Sequence, residues 1–363
     1  ILTGCTSSAV LLRFLAQCGL TAKVRLPHRL KDGYGIKPSM VESLAPDADV
    51  LITVDCGATA FEALERAQEL GLDVIVCDHH TVADTVPPAV AVINPKRPES
   101  TYPGAEPAAV GVAWNLAAWT RKHLRDRGFF KDRAEPDLAE LLDFVALGTV
   151  CDMVPLSGAN RTFVRHGLRQ LDKGLSTGLR VFKAGAKCND PIDASDLGFR
   201  LGPRINAAGR LADAQTALDL LLSDDEAEAK RLFDVLDDLN KERRETQRAA
   251  TFEAEKMVRA ADPLPDAIVA YNPDWHPGVV GLVASRLAER FNRCAVVIGT
   301  GGKGSARAAG DLSIYDAVAA GRECLSAFGG HRAAAGLTLT DREQLGRFRE
   351  LVCRAVREQI GEA

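Results

Sequence analysis

Five acidic and imidazole side chains follow apolar segments of the first half of the chain and have the chemistry of metal ligands. They are Asp55 after one apolar run, Asp78, His79 and His80 after the next, and Asp152 after a helical stretch. One acid at a strand end is common, but three such segment ends in one domain are harder to dismiss. Asp and His suit a divalent cation of hard or borderline character, and the cysteines nearby lack zinc spacing. Two such ions about 4 Å apart catalyse in-line displacement at phosphorus. The cluster therefore predicts metal-assisted phosphoester hydrolysis.

A parallel sheet is needed to bring these side chains together, and the first half of the chain alternates apolar runs with helical patterns. The expected strands cover residues 50–54, 73–77 and 89–93. The expected helices cover residues 6–18, 61–70 and 138–149. Unbroken apolar runs are typical of strands that are buried on both faces. Ligands of open α/β sheets bind beyond the carboxyl ends of the strands, which is where Asp55 and His79 fall. We therefore predict an α/β fold.

A long charged stretch separates the two halves of the chain. From Ser223 to Ala261 the residues lack Gly and Pro and predict a helix of roughly 50–60 Å. Ser223 and Glu226 have capping-box spacing at its start. A helix so long and polar favours a bridge between domains, and the alternative is a surface helix broken near Asn240. We expect a parallel-sheet domain, a connecting helix and a smaller α/β domain over 1–222, 223–261 and 262–363.

Composition and charge limit the class of protein. The 363 residues, 46% of them hydrophobic and 26% charged, suffice for two globular domains and exclude a disordered or collagen-like chain. The 45 Lys and Arg against 49 Asp and Glu leave a net charge of −4, which still permits a local basic groove. Nine cysteines without a CxxC pair predict free thiols in a reducing cytoplasm. The sequence contains no apolar run of about 18 residues, so it predicts no membrane span.

Seven motifs occur in order between residue 4 and about residue 340. Three surround the candidate ligands and cover 54–57, 76–80 and 148–152. The other four cover 27–35, 202–210, 275–286 and 329–336, and the last of these contains Gly-Gly-His. Together they resemble the DHH phosphoesterase superfamily, and within it the RecJ branch of single-stranded-DNA exonucleases. The resemblance implies a DHH domain, a DHH-associated domain, and a 5′→3′ exonuclease of DNA repair and recombination.

The resemblance also implies roles for the candidate ligands. Asp55 would bridge two Mn²⁺ or Mg²⁺ ions, with His79 and Asp152 as further ligands. His80 would contact the scissile phosphate or orient His79. Asp78 would hydrogen-bond to these residues without binding the metal itself. The two catalytic candidates are therefore His80 and Asp78.

Substrate contacts are expected from residues that can grip phosphate. The candidates are Arg29, Arg204, Asn206, Arg210, His276, Ser305, Arg307, Gly330 and His331. The group from Arg204 to Arg210 is expected in a Gly- and Ala-rich loop, where a substrate backbone can approach closely. Ser305 and Arg307 fall on one face of an extended segment and, with Arg29, form our candidate pocket for a 5′ phosphate. We expect the contacts in the second domain to face the metal site across a cleft.

One departure from the family pattern concerns the first residues. The family opens with a strand and an Asp-x-Asp-x-Asp-Gly motif, whereas no aspartate occurs here before Asp32. Either the chain has lost the motif and is a non-catalytic relative, or an Asp-rich metal loop is missing between Thr3 and Gly4. We favour the second interpretation because residues 1–3 match the end of the expected strand. Its test is a Thr3–Gly4 Cα separation well beyond the 3.8 Å of a trans peptide.

Two further functions remain open at this stage. One is a phosphodiesterase for short oligoribonucleotides or cyclic dinucleotides, and the other is a metal-free scaffold that binds DNA or replication partners. The resemblance makes a single-strand-binding protein or a helicase plausible partners, and we expect a monomer. RecJ-type enzymes often continue into an oligonucleotide-binding fold, so this chain, which stops at Ala363, is expected to be a catalytic core or a compact member.

Overall fold

The computed structural model describes residues 2–27, 33, 35–104 and 106–361. The chain divides into two compact units, Ile1–Asn240 and Lys241–Ala363. Each unit contains its own sheet, one parallel with three strands and one mixed with five. The predicted α/β class is confirmed.

Helices dominate the first unit. They are α1 (Leu2–Gln17), α2 (Pro38–Leu44), α3 (Phe61–Glu69), α4 (Ala109–Asp126), α5 (Leu142–Cys151), α6 (Gly158–Lys173), α7 (Thr177–Gly185), α8 (Ala194–Asp196), α9 (Gly202–Leu211) and α10 (Gln215–Leu222). The strands are β1 (Val50–Val54), β2 (Asp73–Cys77) and β3 (Ala91–Ile93), in that order across the sheet. Leu64 of α3 packs with Val76 on one face, whereas Cys77 belongs to the larger core that includes Phe14 and Phe144.

Helix α11 (Glu226–Arg259) connects the two units. In the second unit the strands are β4 (Ala267–Tyr271), β5 (Cys294–Ile298), β6 (Lys303–Arg307), β7 (Leu325–His331) and β8 (Ala334–Leu339). Their order is β4-β5-β6-β8-β7, and only the β4–β5 pair is parallel. The remaining helices are α12 (Val280–Phe291), α13 (Ile314–Ala320) and α14 (Leu345–Gly361). Residues of α12 and of the end of α11 cover one sheet face, and α13 and α14 cover the other.

The start of the chain differs from the prediction. Leu2 and Thr3 do not end a strand, because they form the first turn of α1. The Ser7 hydroxyl donates to the Thr3 carbonyl at 2.6 Å, and the Thr6 hydroxyl donates to the Leu2 carbonyl at 3.2 Å. These bonds span the Thr3–Gly4 junction within one helix, so the strand expected to end at Thr3 is wrong, and the missing loop stays a hypothesis. Small hydroxyl residues are compatible with this buried helix because Thr6 and Ser7 bond to backbone carbonyls of the preceding turn and Thr3 bonds to Asp152.

Two predictions about helices need correction. Ser223 does not cap α11, because its hydroxyl bonds to the Asp225 carbonyl, whereas the Asp225 carboxylate accepts from Glu228 N at 2.7 Å. The N-cap is therefore Asp225. The expected loop over 202–210 is instead the helix α9, which begins with a proline in its first turn, where the missing N–H costs nothing.

Helix α11 has 34 residues, which is about 50 Å, and it is unbroken at Asn240. This confirms the long connecting helix over the alternative of two shorter ones. All nine cysteines are free thiols, as the sequence predicts. No helix within the described ranges is both long and apolar enough to cross a bilayer.

Candidate metal centre

The carboxyl ends of the three strands of the first unit lie side by side. Val54 pairs with Cys77, and Cys77 pairs with Ile93, so the residues that follow each strand emerge at one edge. The backbone pairing continues for one residue, because Asp55 N donates to the Cys77 carbonyl at 3.1 Å. Asp55 then takes a left-handed backbone conformation with φ 61°, which aspartate tolerates better than most residues. Strand register and this turn together place the Asp55 carboxylate at the sheet edge.

Three of the predicted ligands converge at this edge. His79 Nε2 lies 3.5 Å from Asp55 Oδ1 and 3.4 Å from Asp152 Oδ2. Asp152 reaches the sheet from the C-terminal end of α5, and the Thr3 hydroxyl donates to its other oxygen at 3.0 Å. Gly4 lies beside the Asp55 carboxylate, and a Cβ there would be in ordinary van der Waals contact with Asp55 Oδ2 at 3.8 Å. Two strand ends and two helices therefore build the cluster.

The donor atoms of this cluster fit a divalent cation. Among the described residues, His79 Nε2 and Asp152 Oδ2 are buried without a hydrogen-bond partner. Leaving a buried polar atom unpaired costs about 1–3 kcal/mol, so two such atoms facing each other need a shared partner. Ligand atoms about 2.1 Å from one ion lie about 3.0–3.4 Å apart, close to the separations seen here. One nitrogen and carboxylate oxygens are the ligand set that Mn²⁺ or Mg²⁺ accepts.

The charges of the cluster also favour a bound cation. Burial raises the pKa of Asp152, the nearby His79 lowers it in part, and the Asp55 carboxylate raises it again. The Asp55 and Asp152 carboxylates repel each other when both are ionised in this partly buried site. A cation between them would remove that repulsion.

The buried carboxylate of Asp78 hydrogen-bonds to both His79 and His80. Asp78 is 1% exposed, and it accepts hydrogen bonds from Ala58 N, His79 N, His80 N and His80 Nδ1. Burial alone would raise the pKa of Asp78, but the bond from His80 and the backbone N–H groups lower it to about 2. The bond to Asp78 in turn raises the pKa of His80. Asp78 thus orients its neighbours, as predicted for a supporting residue.

His80 belongs to the same cluster but is more exposed. Its side chain is 51% exposed, and one of its ligand atoms lies within 4.8 Å of those of Asp55 and His79. The Asn94 amide donates to the His80 carbonyl at 2.9 Å, which ties β3 to this segment. The geometry brings all five predicted residues of the metal site together.

A cavity of about 660 Å³ opens beside the cluster, and its wall includes His79, His80, Asp152, Lys96 and Met153. Lys96 was missed by the sequence reasoning, and its ammonium lies 3.4 Å from the Glu106 carboxylate. The available signal was Asn94-Pro95-Lys96, which follows the third strand at the edge where the first two strands carry their ligands. A cation in this wall suits an anionic substrate.

The predicted contacts on α9 have varied surroundings. The Arg204 guanidinium bonds to Asp237 of α11 at 2.8 Å and to the Arg200 carbonyl at 2.6 Å. It therefore joins two helices, and its predicted contact with phosphate is untested. Asn206 and Arg210 are half-buried on the same helix. Arg29 lies outside the described residues.

In the second unit, Ser305 and Arg307 form a pair on β6. Arg307 Nη1 donates to the Ser305 hydroxyl at 2.9 Å, so the predicted extended segment does place them on one face. They lie against the first turn of α12, where a Cβ on Gly281 would meet Ser305 Oγ at 3.0 Å and Arg307 Nη2 at 3.3 Å. A hydroxyl, a guanidinium and the N-terminus of a helix together suit a phosphate group.

The glycine–histidine segment lies on the neighbouring strands of the same sheet. Arg307 pairs with Ala334, and Ala334 pairs with His331, so Arg307 and His331 lie in one cross-strand row. Directly opposed residues point to the same face. Gly330 precedes His331 on this exposed strand. His276 lies in the turn before α12, where its Nδ1 accepts from Gly278 N at 3.0 Å, and its contact with substrate stays a prediction.

Two family models match the chain in the order that the sequence motifs indicate. Residues 4–149 match the DHH family, N-terminal domain, and residues 265–358 match the DHHA1 domain. This order and the ligand cluster define a two-domain protein of the DHH class. A crystal structure of exonuclease RecJ bound to manganese superposes with a TM-score of 0.86 at 35% identity, over 98% of this chain and 88% of that one. The chain belongs to the RecJ family.

Full-length relatives extend the comparison. The single-stranded-DNA-specific exonuclease RecJ of Dickeya dadantii is 40% identical over 96% of this chain and 63% of that protein. The Escherichia coli protein of the same description is 41% identical over 96% of this chain and 64% of its own length. RecJ from Thermus thermophilus in complex with Mn²⁺ has a TM-score of 0.85 at 34% identity, over 98% of this chain and 51% of that one. The chain therefore spans under two thirds of the length of these curated relatives.

Proposed function

We propose that this chain hydrolyses phosphodiester bonds of single-stranded DNA from the 5′ end, with Mn²⁺ or Mg²⁺ bound by Asp55, His79 and Asp152. One observation carries the proposal. His79 Nε2 and Asp152 Oδ2 are buried, unpaired within the described residues, and aimed at each other beside Asp55. Support comes from the relatives, which are named single-stranded-DNA-specific exonucleases.

The residues around the ligands have distinct tasks in this proposal. When bound, the metal supplies charge stabilisation at phosphorus and a water of lowered pKa. Asp78 keeps His80 oriented so that the exposed side of the imidazole faces the cavity. Lys96 lines the cavity as an ion pair with Glu106, and its ammonium supplies a donor for a phosphate group that displaces this carboxylate. His80 is the residue that we assign to the scissile phosphate.

We propose that a 5′ phosphate binds at Ser305 and Arg307 of the second unit. Support comes from the hydroxyl–guanidinium pair beside the first turn of α12. The guanidinium supplies two parallel N–H donors, and the helix N-terminus supplies partial positive charge. A terminal phosphate carries more negative charge than an internal one, so such a pocket selects the strand end.

The nuclease assay uses this chain with 5′-labelled and 3′-labelled oligonucleotides in Mn²⁺. We expect mononucleotides to be released from the 5′ end of single strands, little cleavage of duplex, and loss of activity in Asp55→Asn. Arg307→Ala should lose the preference for 5′-phosphate over 5′-hydroxyl strands, whereas Arg354→Ala, an exposed arginine of α14, should retain it. Release from the 3′ end, or faster hydrolysis of dinucleotides and cyclic dinucleotides, would contradict the assignment.

A second candidate function is that of a non-catalytic protein that binds single strands. It is favoured by one observation, namely that α1, whose Thr3 bonds to Asp152 in the candidate metal site, contains no carboxylate residue. The same assay decides between the two functions. Strand binding without cleavage in Mn²⁺ or Mg²⁺ would support the binding protein, and cleavage that Asp55→Asn abolishes would exclude it.

We also propose a monomeric protein that acts in the cytoplasm in DNA repair and recombination, with a single-strand-binding protein or a helicase as partner. The nine free thiols support a reducing compartment. Light scattering on the purified chain tests the monomer, and pull-down with each purified partner tests the interactions.

A further inference from the structure

A groove in the second unit is lined mainly by arginines. It lies between α11 and α12 and encloses about 490 Å³. The five cationic residues are Arg243, Arg244, Arg248, Arg286 and Arg290. The one acidic residue in its wall is Glu255. The groove therefore carries a strong local positive charge although the whole chain is acidic.

Helix stability does not account for this arrangement. Arg244 and Arg248 are four residues apart on α11, and Arg286 and Arg290 are four apart on α12. Like charges at this spacing destabilise a helix by a few tenths of a kcal/mol. In both helices the repelling pair faces the same groove. The arrangement therefore concentrates positive charge in the groove at a cost to the stability of each helix.

Carboxylates neutralise only part of the groove. Arg290 bonds to Glu255 at 2.8 Å, and Arg286 lies 3.9 Å from Glu289. Within the described ranges, Arg244 and Arg248 have no carboxylate at ion-pair distance. Two guanidinium groups thus stay available for an external anion.

An exposed aromatic ring lies in the same row of α11 as these two arginines. Phe252 follows Arg248 by four residues, lines the groove, and is 71% exposed. The core-facing side of this part of α11 is made by Ala250 and Ala254, which are buried. Phe252 is therefore not needed for the core, and its exposure has a hydrophobic cost of about 2 kcal/mol.

We propose that this groove is a second contact site for single-stranded DNA, in which the arginines hold the phosphate backbone and Phe252 stacks on a base. Cationic side chains interleaved with an exposed aromatic ring are the combination that holds single strands without reading their sequence. The inference rests on the proposed function, since it takes the same strand as its ligand. It adds a contact that neither the metal site nor the Ser305–Arg307 pair supplies.

The test measures binding of a fluorescent oligothymidylate by anisotropy in EDTA, so that hydrolysis plays no part. Arg244→Gln/Arg248→Gln should weaken binding about tenfold in low salt. The slope of log K against log salt should fall by about 1.4, because each phosphate contact on a single strand contributes about 0.7. The matched control is Arg322→Gln/Arg354→Gln, which removes two exposed arginines outside the groove and should retain the full slope.

Phe252→Leu separates stacking from charge. It should weaken binding at least fivefold, because one base–aromatic stack is worth about 1–3 kcal/mol, and it should leave the salt slope unchanged. The residue is exposed, so this variant should keep the wild-type melting temperature. If both groove variants fold and bind strands as the wild type does, this site is overturned while the proposed function stands.

Failure of the proposed function gives a different result. Strand binding without hydrolysis in Mn²⁺ overturns the proposed function alone, whereas a wild-type chain that does not bind the oligothymidylate overturns both proposals together. A third result is that a Glu-rich peptide displaces the strand and binds more tightly than it, in a manner that Arg244→Gln/Arg248→Gln abolishes. That result would overturn the strand site in favour of an acidic protein partner.

Discussion

Nδ1 of His80 lies 2.7 Å from Oδ1 of Asp78, a carboxylate that is buried and accepts three further hydrogen bonds from backbone N–H groups. Because a carboxylate accepts, the proton of this contact is on Nδ1, and Nε2 is left for the cavity. The position of His80 is therefore set by the turn that follows β2. Disturbing Asp78 disturbs the whole histidine segment.

Asp78→Asn should reduce both stability and hydrolysis. The amide group replaces one acceptor with a donor, so at least one buried backbone N–H loses its partner, which costs about 1–3 kcal/mol. Urea unfolding and Mn²⁺-dependent strand hydrolysis measure the two effects. Asp84→Asn, an exposed residue nearby, is the control. Wild-type stability and activity in Asp78→Asn would contradict the supporting role of this carboxylate.

Manganese should stabilise the chain, and the stabilisation should depend on Asp55. An ion that binds only the folded state contributes about 2.7 kcal/mol at one hundred times its dissociation constant. The melting temperature should therefore rise with Mn²⁺ in the wild type and stay constant in Asp55→Asn, while Asp132→Asn, which changes an exposed aspartate, should behave as the wild type. An equal rise in Asp55→Asn would place the ion elsewhere.

The contribution of Asp143 to the free energy of unfolding should fall as pH rises. Burial raises the pKa of this carboxyl to about 6, although hydrogen bonds from Ser176 and Phe144 N oppose the rise. The folded pKa exceeds the unfolded value of about 3.9, so the unfolded chain releases this proton first. The contribution of Asp143 is thus fully present below about pH 4 and lost as pH rises to about 6, by up to about 3 kcal/mol.

Urea unfolding of the wild type and of Asp143→Asn at several pH values isolates this effect, because the other titrating groups cancel in the difference. The variant should gain stability relative to the wild type as pH rises from about 4 to about 7, by up to about 3 kcal/mol. A difference that stays constant across this range would show that Asp143 titrates normally.

Arg204 should stabilise the first unit through Asp237. Both side chains are about one fifth exposed, with values of 18% and 21%, and their contact joins α9 to α11. Arg204→Ala leaves the carboxylate without this partner, so the free energy of unfolding should fall by about 2 kcal/mol. Asp237→Asn should produce a similar loss, and Arg161→Ala, an exposed arginine of α6, should produce little. Weaker strand binding at unchanged stability would instead favour the predicted phosphate contact.

Much of the candidate metal site follows from local sequence pattern. The apolar runs that end at Asp55 and Asp78 predict parallel strands, and parallel strands bring their carboxyl ends to one edge whatever the rest of the chain does. The long connecting helix is equally predictable, because its 34 residues lack Gly and Pro and are rich in Glu, Ala, Arg, Lys and Leu, which are strong helix formers. The resemblance to the RecJ branch rests on these same segments.

Other features depend on contacts that sequence order does not show. Arg204 and Asp237 are 33 residues apart, and the Thr3 hydroxyl reaches Asp152 across 149 residues. The α9 segment is a helix although Gly202 and Gly209 lower its local helix propensity, because burial of Ile205, Ala207 and Ala208 outweighs that loss.

The sequence by itself determined the fold class, the order of the two matched domains, the five residues of the candidate metal site and the connecting helix. Each of these depends on periodicity, strand ends or short motifs, which are local properties of the chain. Only the tertiary structure decided that Arg204 pairs with Asp237, that Lys96 lines the cavity, and that two arginine pairs face one groove. Those outcomes depend on which distant side chains the folded backbone brings within a few ångströms, and short-range pattern does not encode such distances.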